Sequence, residues 1–263
     1  VTAPCAAVEA DLERRFGGLR RLYGEAGYAR LRAARVAVVG VGGVGSWAAE
    51  ALARSGVAGL VLIDLDHVAE SNINRQVQAL GATLGQAKVL ALRQRIADIH
   101  PGCQVLAVEE FVDARNWPVM LTQPVDAVID ACDQARAKQA LAAWALAEGQ
   151  PFVSVGAAGG KRLAQRVDIE DLAAVTHDPL LASLRQRLRR EHGAARQGRI
   201  GLRCVFSREP VAAPAAGCDA DGSRDGTLNC QGYGSSVTVT ATFGLAAAGE
   251  VIAQLLARPA QGA

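Results

Sequence analysis

The chain has 263 residues, half of them hydrophobic, with 28 basic and 26 acidic side chains and a formal net charge of +2. That balance allows a sizeable core and excludes both a disordered chain and a simple polycation. Aromatics at 4% are too few for rows of base-stacking rings, and six cysteines are too few for a disulfide-stapled scaffold.

Residues 1–32 read as an N-terminal helical arm. Val1 to Arg15 carries acids and lacks an apolar run, so no signal peptide is expected. Residues 14–35 hold seven Arg and one Glu, a net of +6. Arg35-Val-Ala-Val-Val-Gly40 is a short apolar run stopped by glycine, the pattern of a buried strand. Ser46 to Arg54 is Ala-rich and free of Gly and Pro, hence helical, and Gly56 ends it. Gly59 to Asp64 is a second strand. Lys88 to His100 spaces Val89, Leu92 and Ile96 as a helix does, and Pro101 closes it. Cys103 to Val108, Val125 to Asp130 and Phe152 to Val155 are the third, fourth and fifth strands, with a helix over Arg136 to Glu148. Strands alternating with helices predict a doubly wound, Rossmann-like α/β fold, its sheet mostly parallel with helices on both faces.

Residues 33–263 are expected to form one domain, with a nucleotide-binding half over 33–160 and a less regular C-terminal half over 161–263. In that second half Pro179 to His192 is an amphipathic helix with Leu181, Leu184 and Leu188 on one face. Residues 185–208 hold eight Arg and one Glu, a net of +7. Glu209 to Asn229 is rich in Ala, Gly, Pro, Asp and Ser and reads as a mobile crossing loop. Ser235 to Leu256 carries a single charge, Glu250, and reads as a strand running into a buried helix rather than a membrane span. Membrane contact is therefore not expected. The two basic stretches are either solvated helix faces or surfaces for a polyanion such as RNA.

Gly40-Val-Gly-Gly-Val-Gly45 fits G-x-G-x-x-G directly between a strand and a helix. Gly40, Gly42, Gly43 and Gly45 would let the backbone turn tightly against a phosphate at a helix N-terminus, with Ser46 adding a hydroxyl. Asp64, 19 residues past Gly45 at a strand end, suits ribose hydroxyls. Such a set serves a nicotinamide dehydrogenase or an ATP enzyme equally. The next segment, with Asp66, Ser71, Asn72, Arg75 and Gln76, is polar, and one helical turn would aim Asn72 and Arg75 the same way. An amide and a guanidinium suit a polyphosphate, whereas hydride transfer has no use for them. Lys88 opens a helix, where the dipole disfavours a cation unless a phosphate is near. Asp130 and Asp133 flank the end of the fourth strand. One of them would hold Mg²⁺ against ATP oxygens and the other would cap the following helix.

Gly40-x-Gly-Gly-x-Gly-Ser46, Asp64-x-Asp66, Ser71-Asn72-x-x-Arg75-Gln76, Lys88 and Asp133 together resemble the adenylating fold of ubiquitin-activating-type enzymes, the ThiF/MoeB/HesA group. Arg15-Phe-Gly-Gly-Leu-Arg-Arg21, the helix carrying Trp47, Leu202-x-Cys204-Val-Phe-Ser-x-Glu209 and Thr238-Val-Thr-Ala-Thr-Phe-Gly244 resemble the tRNA threonylcarbamoyladenosine dehydratases within it. The paired C-x-x-C zinc motifs of the sulfur-carrier activators are missing, which favours the dehydratase branch.

The resemblance implies an ATP-dependent ring closure on tRNA through an acyl-adenylate. It gives the glycine loop the nucleotide, Asp64 the ribose, and Asn72, Arg75 and Lys88 the phosphates. Asp133 would bind Mg²⁺ with Asp130 behind it. Arg21, or failing it Arg15, would reach the ATP of a partner subunit in a homodimer. The basic stretches become tRNA-facing surface. A cytoplasmic setting and a sulfur-transfer or desulfurase-type partner are further expectations. Cys204 and Cys230 are candidate acyl acceptors, although ring closure needs none and buried free cysteines are ordinary core. The alternatives are activation of the C-terminus of a ubiquitin-like sulfur carrier, an NAD-dependent oxidoreductase, and a non-catalytic RNA-binding protein.

Overall fold

Residues 10–212 and 233–258 are described by a computed structural model. The elements in chain order are α1 (Leu12–Ala33), β1 (Arg35–Val39), α2 (Gly45–Arg54), β2 (Gly59–Ile63), α3 (Lys88–Ile99) and β3 (Gln104–Val108). They continue with β4 (Ala127–Asp130), α4 (Ala135–Glu148), β5 (Phe152–Val155), β6 (Val167–Asp171), α5 (Pro179–Glu191), β7 (Arg203–Ser207) and α6 (Val237–Ala257). Seven strands form one sheet in the order β3-β2-β1-β4-β5-β7-β6. Every pair is parallel except β6 with β7. This is the doubly wound α/β fold that the alternating pattern predicts.

Side chains alternate across the strands, so the sheet has two cores. Val36, Val38, Leu60 and Leu62 pack under α2, α3 and α6. Ala37, Val39, Val61 and Ile63 face α4 and α5. The chain winds from β1 toward β2 and β3 on one side and resumes at β4 on the other. A crevice therefore opens at the carboxyl ends of β1 and β4, where ligands bind in such sheets.

Two strands escape the sequence reading. β6, Val-Asp-Ile-Glu-Asp, is an edge strand in the C-terminal half that the sequence leaves without an assigned element. Arg208 reaches across from just past β7 to pair with Asp168 (2.5 Å) and Glu170 (3.2 Å), so the outward face of the edge is held by charge while Val167 and Ile169 pack inward on the core. β7 is almost entirely buried between β5 and β6, and its single run is too short to announce itself. The strand expected before the last helix is absent: Ser236 caps α6 directly, its hydroxyl accepting from the Thr238 N–H. α6 is long and apolar enough to cross a membrane, yet half of it is buried against the fold. Gly244 permits its close approach to α2, because a Cβ there would lie 2.4 Å from the Val44 carbonyl oxygen.

α1 bends at Gly24, whose φ of +72° interrupts the helix. It buries Phe16, Tyr28 and Leu31. Arg30 donates to the Leu256 carbonyl at the end of α6 (2.8 Å). Arg15 donates to the Asp98 and Ile99 carbonyls at the end of α3 (2.8 and 2.7 Å). Arg15 therefore straps α1 to the end of α3 within its own chain.

Candidate active site

A cleft of about 1020 Å³ opens at the β1–β4 switch point. Its first wall is the turn after β1. Gly40 has a φ of +82°, which few side chains tolerate, and a Cβ there would lie 2.9 Å from the Ala131 carbonyl oxygen. Gly42 and Gly43 line the cleft. Gly45 does not; it is the pivot beneath the turn, where a Cβ would come 1.8 Å from the Gly40 carbonyl oxygen. Gly45→Ala is therefore expected to destabilise the protein by about 3 kcal/mol, the upper range for forced overpacking, and to displace the loop. Thermal melting together with nucleotide titration measures both. Ser46 is also corrected: its hydroxyl is buried and faces the Val77 N–H at 3.4 Å, away from the cleft.

Asp64, at the end of β2, faces the cleft. Its carboxylate accepts from the Val41 N–H (2.8 Å) and the Asp66 N–H (2.9 Å), which ties the glycine turn to the strand. Burial raises its pKa, while the Lys88 charge and those two N–H groups pull it back. One free lone pair on each oxygen remains for a sugar hydroxyl.

The polar segment that follows divides its labour unexpectedly. Glu70–Asn72 is a single 3-10 turn, not a helix. Asn72 is buried and its side-chain oxygen accepts the Ala69 N–H (3.0 Å), so it caps the turn and does not line the cleft. Ser71 lies outside the cleft too, and its carbonyl receives the Arg75 guanidinium (2.6 Å). Neither side chain lines the cleft as the pattern suggested. Their work is to aim Arg75, which Asn74 also supports at 2.9 Å and which does line the cleft with Gln76. Burial lowers the Arg75 pKa, although the guanidinium remains charged throughout the physiological range.

Lys88 lies in the cleft wall at the start of α3. It is buried, and its ammonium sits 2.6 Å from the exposed Asp66 carboxylate. Asp133 faces the cleft half-buried, and its carboxylate has no hydrogen bond or ion pair among the described residues.

Asp130 is wholly buried and unsuited to metal binding. Its carboxylate meets Lys138 at 2.7 Å, with both side chains fully enclosed. Ser154 donates to the same oxygen (2.7 Å) and the Cys132 thiol donates to the other (3.0 Å). Lys138 also donates to the Val155 carbonyl (2.9 Å), so one ammonium joins the ends of β4 and β5 beneath the cleft. Burial disfavours the Lys138 charge, yet Asp130 holds its pKa above the ordinary value. Nothing in the local pattern announces this pair, since Lys138 falls among the apolar residues of α4. Asp178 is a second unforeseen anchor. It caps α5 through the Leu181 N–H (2.9 Å) and accepts the Ala157 N–H from the cleft wall (2.8 Å).

Cys204 is buried in β7, and burial pushes its thiol far up, as it does that of Cys132; Cys103 is pushed up to about 11. None is poised as a thiolate. Cys230 and most of the predicted crossing loop over 209–229 lie outside the described residues. Arg21 is exposed on α1 and outside the cleft.

A parallel α/β sheet with a glycine turn, a ribose-type carboxylate and cations at its switch point defines a nucleotide-binding protein of the doubly wound class. Residues 15–262 match the ThiF family, and the chain belongs to that family. It is 40% identical over 256 residues to the tRNA threonylcarbamoyladenosine dehydratase of Escherichia coli, covering 94% of this chain and 96% of that one. The crystal structure of E. coli tRNA N6-threonylcarbamoyladenosine dehydratase in complex with ATP superposes with a TM-score of 0.86 at 39% identity, covering 97% of this chain and all of that one. Similarity to the E. coli molybdopterin-synthase adenylyltransferase, 36% identical, covers 49% of this chain.

Proposed function

We propose that this protein is an ATP-dependent tRNA threonylcarbamoyladenosine dehydratase. The observation that carries the reading is the convergence of Arg75, Lys88 and Asp133 on the cleft that the glycine turn and Asp64 open. Near-full-length similarity to dehydratases supports it over activation of a sulfur carrier, whose similarity stops near half the chain. An oxidoreductase would leave those three charged groups without a task.

In the reaction, the carboxylate of the threonylcarbamoyl group attacks the α-phosphorus of ATP. The bond to pyrophosphate breaks and an acyl-adenylate forms. A nucleophile within the same group then closes onto the activated carbonyl and AMP leaves, for a net loss of one water. The chain contributes position and charge. Its glycine turn admits the nucleotide, Asp64 accepts ribose hydroxyls, and Arg75 and Lys88 neutralise phosphate. Asp133 suits Mg²⁺, which takes one or two carboxylates and completes its shell with phosphates and water; its carboxylate faces the cleft uncommitted. When bound, that ion would screen the phosphate charge. Arg21 and the exposed Leu22 on α1 support a homodimer in which Arg21 reaches the neighbouring site. A cytoplasmic setting accords with a tRNA substrate. The described thiols lend no support to a sulfur-transfer partner.

The test is mass analysis of nucleosides after tRNA bearing the modification is incubated with the protein and ATP. Loss of one water is expected. An unchanged mass with ATP bound, alongside adenylation of a ubiquitin-like C-terminus, would replace the reading with the sulfur-carrier one.

A further inference from the structure

Most of the nucleotide-facing residues line one side of the cleft, from the glycine turn through β2 to α3, with Asp133 facing them from the end of β4. The opposite side contains a charge that this chemistry does not use. Arg187 reaches the cleft from α5, beside Gly156–Gly159 and Leu180. It is half-buried, and no carboxylate lies within ion-pair distance of it among the described residues. Its polar contacts are long: Ser183 Oγ at 3.4 Å and Gln139 Oε1 at 3.5 Å. The nearest acid in sequence beyond α5's middle, Glu191, is taken by Arg190 at 2.5 Å and by Gln139.

The helix is held rigidly where it presents this group. Asp178 fastens the α5 N-terminus to the Ala157 N–H, and Gly156 is required there because a Cβ would fall 2.1 Å from the Asp178 carboxylate. Leu181, Leu184 and Leu188 bury the inner face. A half-desolvated guanidinium on the cleft wall, with no carboxylate in ion-pair contact and only Glu191 acting on it from further off, is suited to receive an anion.

The outer face of the same helix differs. Arg185, Arg189, Arg190 and Arg196 line a shallow groove of about 460 Å³. Arg185 is spent in part on the Leu172 and Val175 carbonyls (3.0 and 2.9 Å). Arg189 donates to the Ala195 carbonyl (3.0 Å), which shapes the groove and leaves its charge uncompensated.

We propose, on the basis of the dehydratase reading, that α5 divides substrate recognition in two. Arg187 takes the carboxylate of the threonylcarbamoyl group before its adenylation, and the outer arginines take tRNA backbone phosphates. The acid then enters from the α5 side and meets ATP held from the other.

Binding of tRNA with and without the threonylcarbamoyl group tests this, in the full-length protein and at several salt concentrations. Arg187→Gln is expected to weaken the modified tRNA about 10–100-fold, the worth of a charge-assisted hydrogen bond, and to leave unmodified tRNA within about twofold. The triple change Arg189→Gln, Arg190→Gln, Arg196→Gln is expected to weaken both tRNAs alike. It should also flatten the slope of log affinity against log salt by roughly one for each phosphate no longer neutralised. Arg187→Lys, which keeps a charge without the fork, should recover part of the loss, as a merely structural arginine would not. Equal weakening of both tRNAs by Arg187→Gln, or weakening of neither, overturns the carboxylate assignment. An unchanged salt slope in the triple variant overturns the phosphate assignment. Failure of the wild-type protein to remove water from the modified nucleoside is a separate result, and it would sink the dehydratase reading itself.

Discussion

Lys138→Met is expected to destabilise the protein by about 3–5 kcal/mol, the cost of leaving a buried charge without its partner. The Asp130 carboxylate would lose its ammonium at 2.7 Å while remaining fully enclosed. Ser154 and Cys132 hydrogen-bond to it but bring no positive charge. The double change Lys138→Met, Asp130→Asn removes both charges and should recover most of that stability. Chemical denaturation of the four proteins gives the coupling directly. The pH dependence follows from the raised Lys138 pKa. The pair's contribution is complete below the unfolded lysine value and is lost only as pH climbs through the raised folded one. Neutral and mildly acidic conditions should therefore leave the wild-type advantage intact. Because Lys138 also binds the Val155 carbonyl, the single variant should loosen the cleft floor at the ends of β4 and β5.

Arg75→Ala and Asp133→Ala are each expected to lower pyrophosphate release by about 10²–10³-fold, the usual cost of removing one preorganised group from a charge-stabilising site. Binding of tRNA should be little changed, since neither lies on α5. Asn72→Ala makes the instructive contrast. Its amide oxygen caps the Ala69 N–H, so it should cost about 1 kcal/mol of stability and affect turnover only through the aim of Arg75. If Asn72→Ala matched Arg75→Ala in lost turnover with stability unchanged, the capping assignment would be wrong. Assays of pyrophosphate release and thermal melting on the same preparations separate these outcomes.

The correction at Asn72 shows where spacing stops being informative. A separation of three implies a shared direction only on a continuous helix, and the segment is a single 3-10 turn. Ser46 misled for a related reason: a hydroxyl at a helix start has several N–H groups in reach, and here packing turned it to Val77. β6 was hidden because its apolar face is only Val167 and Ile169, too short an alternation to stand out among the acids that pair with Arg208.

Sequence by itself determined the α/β winding, the glycine turn and the strand-end Asp64, because each is marked by a pattern within a few residues, although Ala131 and Val41 supply the contacts that hold Gly40 and Asp64. Periodicity and the steric demands of glycine act over that range. Only the tertiary structure decided which polar side chains face the cleft and which serve the fold. Lys138 and Asp130 are eight residues apart, but what makes them a pair is the exclusion of water by the sheet and α4. Arg187 is joined to the cleft across more than a hundred residues of chain from the glycine turn. Burial and long-range approach set the partner of a charge, and neither is written in local spacing.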